Sequence, residues 1–170
     1  MPTSTPIPTA TPTRTATPTT TPTPTPKPTP LADPDRPADA LSLGDAVELD
    51  GIRISVTKFI RIRPKEALDD FAYYSALVSY KNMTNGPKVI FPAAQMRLEN
   101  PYIATINPLP SVEAREGSWP AWGAFRPGET VDGWVVWGIH KESARSFLKS
   151  FGVYYVNDLG DEAVWWLNVK

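Results

Sequence analysis

The sequence has no cysteine and only one histidine, His140. The lack of cysteine excludes disulfides, thiolate metal sites and cysteine nucleophiles, and a secreted domain of this size does not need cross-links. A metal site built from several histidines is excluded as well. No stretch approaches the roughly 20 apolar residues of a membrane helix. We therefore expect no membrane span and no thiolate or multi-histidine metal site. Asn157, Asp158, Asp161 and Glu162 offer oxygen ligands for Ca²⁺ but lack the spacing of an EF-hand loop, so we expect a polar turn, no metal and no cofactor.

The chain also has almost no net charge. Lysine and arginine total 17 and aspartate and glutamate total 18, which gives a formal charge of −1. Because nucleic-acid binding needs a clustered basic surface, we expect no nucleic-acid partner. The nearest approach to such a cluster is a run of five cations: Arg53, Lys58, Arg61, Arg63 and Lys65. Since Glu66, Asp69 and Asp70 follow at once, this run favours the solvated face of a strand over a polyanion site.

Threonine and proline are abundant instead, with thirteen Thr and ten Pro in residues 1–30. Such a tract cannot offset an ordering entropy of roughly 1–2 kcal/mol per residue, so it should be disordered. Both residue types favour extended backbone, which predicts a spacer of roughly 90 Å. Similar tracts are typical of O-glycosylated stalks on surface proteins. We therefore expect residues 1–40 to be a disordered stalk or linker, and residues 41–170 to form one domain.

The sequence does not begin with an export signal, because neither a basic segment nor an apolar segment follows Met1. One interpretation is that a signal peptide or lipid anchor lies upstream of Met1. The other is an intracellular protein in which the tract is a plain linker. We favour the first interpretation, which predicts an extracytoplasmic location at the cell surface or in the secreted fraction.

Beyond the stalk, apolar and polar residues alternate with the period of a β-strand. Ile52, Ile54 and Val56 alternate with polar residues, and the Asp50-Gly51 pair suits a two-residue hairpin turn. Strands are predicted at 46–49, 52–62, 72–81, 89–91, 95–98, 130–139, 151–156 and 163–169. A short helix is predicted within 141–150, and the proline-rich segment 100–125 is predicted to be a long loop. This pattern indicates an all-β antiparallel sandwich of about seven strands.

Four short blocks occur in a characteristic order: Gly44-Asp45, Asp50–Val56, Val78–Asn82 and Arg126–Trp137. They resemble successive blocks of the telokin-like, immunoglobulin-like extracellular domains of bacterial lipoproteins. The resemblance spans roughly residues 41–170 and implies an immunoglobulin-like β-sandwich. Members of that family commonly follow an anchor and a low-complexity spacer. The family offers no catalytic residues to transfer.

Large aromatic side chains are the candidate ligand-binding residues. Alternation places Trp134 on the outer face of its strand beside the polar Asp132, and it places Tyr154 and Trp166 outward as well. We expect these three rings to lie together on one outer sheet. Trp119 and Trp122, in the proline-rich loop, would either extend this surface or fold back over the end of the sandwich. A loop or a neighbouring copy that covers the rings is the alternative to a ligand platform.

Catalytic chemistry has weak support. His140 could act as a catalytic base, but the sequence has no serine in a Gly-x-Ser-x-Gly turn to act as the nucleophile. The carboxylate pairs Asp69-Asp70 and Asp161-Glu162 would need a cleft that brings them together. We therefore expect no catalytic residues. The leading hypothesis is a non-catalytic extracytoplasmic binding or spacer module that contacts an unknown protein. The alternatives are a carbohydrate-binding module that stacks glycans at the cell surface on Trp and Tyr, and a carboxylate-based hydrolase.

Overall fold

Within the described residues, ten strands and two short helices follow one another along the chain. In the computed structural model, which describes residues 33–65, 67–112 and 123–167, the strands are β1 (Ala46–Leu49), β2 (Ile52–Ile62), β3 (Phe71–Asn82), β4 (Lys88–Ile90), β5 (Met96–Asn100), β6 (Ala104–Ile106), β7 (Gly123–Phe125), β8 (Thr130–His140), β9 (Phe151–Val156) and β10 (Glu162–Leu167). The helices are α1 (Pro92–Gln95) and α2 (Lys141–Phe147).

These strands form two antiparallel four-stranded sheets and one small ribbon. The first sheet has the order β1-β2-β3-β8, the second has the order β10-β9-β5-β6, and β4 pairs with β7. The described strands exceed the expected number of about seven: eight correspond to the eight predicted segments, and the other two, β6 and β7, lie within the segment predicted as one long loop. Both have only three residues, so long-range pairing rather than local sequence pattern defines them.

The core lies between the two sheets, and the fold is the predicted all-β sandwich. Residues from both sheets share it, including Ile54, Val78, Trp137, Val153 and Trp165. Trp137 and Trp165 are fully buried, as their alternation with polar neighbours predicts. Burial of large aromatic side chains supplies much of the stabilisation of such a core.

A β-bulge divides β2 into two halves, and the alternation of inward and outward side chains changes phase between them. The register against β3 shifts between Val56 and Lys58. Before the shift, Ile52, Ile54 and Val56 face the core, as predicted. After it, Phe59 also packs against the core, although strict alternation from Val56 would place a residue three positions later on the outer face. Arg61, two residues beyond Phe59, therefore lies on the core side of the sheet rather than on the outer face with Arg53.

The sandwich has two distinct ends. The turn end carries the β1–β2 turn at 50–51, the β3–β4 connection at 83–87 and the β9–β10 turn at 157–161. The opposite end is called the strap end after the segment 33–41, the strap, that begins there. It carries the β2–β3 loop at 63–70, the β5–β6 turn at 101–103 and the α2–β9 connection at 148–150. At the turn end, the buried Asn82 side chain donates to the carbonyls of Gly86 and Phe125 and accepts from Thr84, which ties the β3–β4 connection to the end of β7.

Candidate functional site

The outer face of the second sheet carries a small aromatic cluster. Tyr154, Val164 and Trp166 pack together there, with only 8% of Tyr154 and 5% of Trp166 exposed. The strap, residues 33–41, packs against this face through Ala40, and Leu41 pairs with the edge of β10. The Leu41 amide donates to the Val164 carbonyl at 2.8 Å, and the Trp166 amide donates to the Leu41 carbonyl at 3.0 Å. The strap thus extends the edge of the sheet beside β10.

A hydrogen-bonded clasp holds the first residues of the strap. The Trp166 indole Nε1 donates to Asp33 Oδ2 at 2.9 Å. The Ser150 hydroxyl donates to Asp35 Oδ2 at 3.1 Å, and the Tyr102 hydroxyl donates to the other oxygen of Asp35. Donation from Trp166 is the main reason that the pKa of Asp33 is lower than its usual value, and burial opposes this effect. Through the clasp, residues 33–40, which the sequence assigns to the stalk, contact the second sheet.

A glycine and an arginine complete this aromatic face. Gly152 lies directly opposite Trp166 in the β9–β10 pair, where a Cβ atom would come within 2.9 Å of Tyr154 and 3.2 Å of Trp166. The Arg97 guanidinium lies 5.1 Å from the centre of the Tyr154 ring and forms ion pairs with Glu99 and Glu162. Each of these partly exposed pairs contributes about 0–1 kcal/mol. The face is therefore packed on all sides.

The expected platform of three aromatic rings on one outer sheet is wrong. Trp134 lies on β8 in the first sheet, whereas Tyr154 and Trp166 lie on β9 and β10 in the second. Trp134 is half-buried, and the other two rings are buried beneath the strap. Alternation predicts which face of its own strand a residue occupies, but not which sheet that strand joins. Trp119 and Trp122 lie outside the described residues.

The outer face of the first sheet is partly covered too. The Leu109 amide donates to the Val136 carbonyl at 2.8 Å, on the open edge of β8. Gly138 allows this approach, since a Cβ there would lie 3.1 Å from the Leu109 side chain. On the same face Tyr73 and Ser75 are buried, and the Ser75 hydroxyl donates to the Val135 carbonyl. Part of the predicted long loop is therefore packed against the sheet.

The two carboxylate pairs do not converge. Asp69 and Asp70 lie in the β2–β3 loop at the strap end, whereas Asp161 and Glu162 lie at the turn end. The cleft that the hydrolase alternative requires is therefore not formed. His140 is exposed at the end of β8, with its ring against Phe71. Within the three described ranges, no group of three or more His, Asp or Glu side chains is arranged to hold a metal ion.

A basic groove of about 620 Å³ lies at the strap end. Its charged lining residues are Arg61, Arg63, Lys65, Lys141 and Asp69. The sequence predicts the first three to lie on one solvated strand face together with Arg53 and Lys58. The bulge in β2 separates them from Arg53, and the end of β8 brings Lys141 beside them. No local pattern signals this grouping, because Lys141 is 76 residues beyond Lys65 in the chain.

Large apolar side chains are exposed at the turn end, and they are Met83, Val89, Phe91 and Leu159. Two contacts hold their segments together. Lys88 forms an ion pair with Asp50 in the β1–β2 turn, and Gln95 hydrogen-bonds Asp158 in the β9–β10 turn. The sequence does not reveal this group, since its members lie in three separate segments at 83–87, 88–91 and 157–161. Their common location emerges only from the strand pairing.

Comparison with known proteins establishes the fold and nothing finer. No protein-family model matches the sequence, and no curated protein is significantly similar to it. A functionally unknown protein from Listeria monocytogenes is similar in structure, with a TM-score of 0.58 and 12% identity over 76% of this chain and 84% of that one. The yjhA protein of Bacillus subtilis gives a TM-score of 0.55 and 13% identity over 75% of this chain and 98% of that one.

A further Bacillus subtilis structure, described as a "putative lipoprotein (ycdA)", gives a TM-score of 0.55 and 14% identity. The match covers 72% of this chain but only 38% of that one, so this chain spans well under half of that protein. The telokin-like family is not confirmed by these matches, whereas the sandwich fold is. Among the described segments, no helix is both long enough and apolar enough to cross a membrane.

Proposed function

We propose that this protein is a non-catalytic, extracytoplasmic binding module, displayed on its Thr/Pro-rich segment at a bacterial cell envelope, and that it acts by contact with another protein. Three observations support the proposal. The fold is a β-sandwich, one protein of similar fold is described as a putative lipoprotein, and residues 1–30 have the composition of a spacer.

The position at which the chain enters the domain carries the proposal. The chain enters the described domain at Asp33, which is fastened to Ser150 and Trp166 at the strap end. Exposed apolar side chains lie at both ends of the sandwich: Val89, Phe91 and Leu159 at the turn end, and Leu68, Tyr102 and Ile103 at the strap end. A module held through residue 33 would present its turn end away from its attachment. Exposed apolar residues on loops of a rigid sandwich are typical of protein contact sites.

Site-specific photo-crosslinking in the natural host tests the contact. A photoreactive amino acid at Val89, which is 47% exposed at the turn end, should form an adduct with a defined protein. The same amino acid at Ile103, which is 45% exposed at the strap end, is the matched control and should form no such adduct. The double substitution Phe91→Ser and Leu159→Ser should remove the adduct at position 89. An adduct that forms equally at both positions, or that survives the double substitution, would contradict the proposed contact surface.

Protease treatment of intact cells tests the location separately. A domain displayed outside the cytoplasmic membrane should be released or degraded by added protease, while a cytoplasmic marker protein stays intact. Cleavage is expected within the Thr/Pro-rich segment or the proline-rich loop, because exposed polar segments are the preferred sites of proteolysis. Full protection of the domain together with the marker would refute display at the surface.

A further inference from the structure

The basic groove at the strap end collects cations that form no ion pair with any other described residue. Its four basic residues Arg61, Arg63, Lys65 and Lys141 are all exposed. The ion pairs in the described part of the chain involve Lys88 and Arg97 instead. Asp69 is the one carboxylate among the described lining residues. A local excess of positive charge in a protein with a net charge of −1 indicates an anionic ligand.

The fold holds these cations in place from separate segments. The Lys141 amide donates to the Asp70 carbonyl at 2.9 Å, which joins the start of α2 to the β2–β3 loop. Within that loop the Leu68 amide donates to the Tyr73 hydroxyl at 3.1 Å. Tyr73 is itself buried in β3. Residues 68–70 of the loop and the start of the helix are therefore held to the first sheet, so a ligand would meet a preformed arrangement on this side of the groove.

The residue types and the shape of the groove favour phosphate groups in series. Arginine binds phosphate through two parallel hydrogen bonds, whereas lysine contributes a point charge. Arg61 and Arg63 are two residues apart on extended chain, a separation of about 6–7 Å. A volume of about 620 Å³ is also much larger than a single phosphate needs. Apolar side chains of Leu68 and Phe71 lie beside the cations.

From this arrangement we propose that the groove binds a polymer in which phosphate groups are joined by short aliphatic units. The two arginines would take successive phosphates, the lysines would add charge, and Leu68 would contact the linking carbons. Bases of a nucleic acid would need an exposed aromatic surface on which to stack. The aromatic residues of the groove are half-buried Phe71 and buried Tyr73, so they offer no such surface.

The inference rests on the proposed envelope location, where such a polymer would be met, but not on the protein contact at the turn end. The test measures binding of the full chain to a glycerol phosphate oligomer by calorimetry at several salt concentrations. The double variant Arg61→Gln and Arg63→Gln should bind about tenfold more weakly or worse. Its slope of log Kd against log salt should decrease by about one for each arginine removed.

A matched variant controls for net charge. Arg53 and Lys81 are exposed and directly paired across β2 and β3, on the first sheet but outside the groove. Replacing both by Gln removes the same charge and should leave binding unchanged. Replacing Arg61 and Arg63 by Lys keeps the charge but removes the paired hydrogen bonds, and should give an intermediate loss. Equal losses in the Gln variants of the two sites would overturn the proposal.

Binding of other anions tests which class of anion the groove recognises. Polyglutamate that binds as tightly as the phosphate oligomer, or vesicles of anionic lipid that bind while the oligomer does not, would also overturn the proposal. So would inorganic phosphate that binds alone with the full affinity. The Phe91→Ser and Leu159→Ser variant should bind the oligomer normally. If the original protein does not bind the oligomer but crosslinking at Val89 succeeds, only the groove ligand is refuted. If the oligomer binds but the crosslinking fails, only the protein contact is refuted.

Discussion

Gly152 should be intolerant of even one added methyl group. An alanine Cβ at this position would lie 2.6 Å from Val164 Cγ2, 2.9 Å from Tyr154 Cε2 and 3.2 Å from Trp166 Cε3. Contacts below 3.4 Å require the neighbours to move, and the β-branched Val164 has little rotamer freedom with which to do so. Overpacking of this kind costs about 1–3 kcal/mol. We therefore expect Gly152→Ala to lower the free energy of unfolding by that amount.

Gly86 is the matched control for this substitution. A Cβ there would meet nothing within 4 Å, and its backbone does not require glycine. Gly86→Ala should be neutral or should stabilise the protein by about 0.4–1 kcal/mol, because alanine restricts the unfolded chain. Urea unfolding followed by tryptophan fluorescence measures both variants, and an unchanged m value would show that the difference lies in stability.

A double-mutant cycle tests the assigned cause. If Val164 Cγ2 is the main obstacle, Gly152→Ala should cost less when combined with Val164→Ala, with a coupling of about 0.5–3 kcal/mol. Equal unfolding midpoints for Gly152→Ala and Gly86→Ala would refute the reasoning. A coupling of zero would show that the methyl group is accommodated without touching Val164.

Three further predictions concern the core, the strap and a buried phenol. Trp137→Ala should cost about 3–5 kcal/mol in urea unfolding and Arg53→Ala almost nothing, because the first side chain is fully buried and the second is exposed; equal small effects would mean that the strand faces are misassigned. Deleting residues 1–32 should change stability by less than about 0.5 kcal/mol, whereas deleting residues 33–40 as well should lower it measurably; equal melting temperatures would show that the strap contacts contribute nothing. Burial raises the pKa of Tyr155 to about 12, so stability should fall as pH rises from the ordinary tyrosine value through that pKa; ultraviolet titration that shows Tyr155 ionising near pH 10 in the folded protein would contradict its burial.

Alternation along single strands was the part of the fold that the sequence could predict. It placed Ile54, Trp137 and Trp165 correctly in the core, because the side-chain period of a strand is a local property. The bulge between Val56 and Lys58 could not be predicted, since nothing in the residue pattern marks the extra position that turns Phe59 inward.

The candidate site depended on long-range pairing, and there prediction failed. Trp134 and Trp166 have the same outward alternation, but β8 joins one sheet and β10 the other. The polar segment before Leu41 has the composition of a linker. Only the structure shows that its Asp33 meets the single N–H donor of the Trp166 indole and fixes the segment over the sheet.

The strap also determines how the domain would respond to force. Tension applied through residues 1–32 reaches the domain at Asp33. The hydrogen bonds from Trp166 and Ser150 therefore bear the force before any strand does. The next contacts in line are the hydrogen bonds that Leu41 forms along β10. Tension would therefore peel the strap away and bare Tyr154 and Trp166, while the core between the two sheets stayed closed.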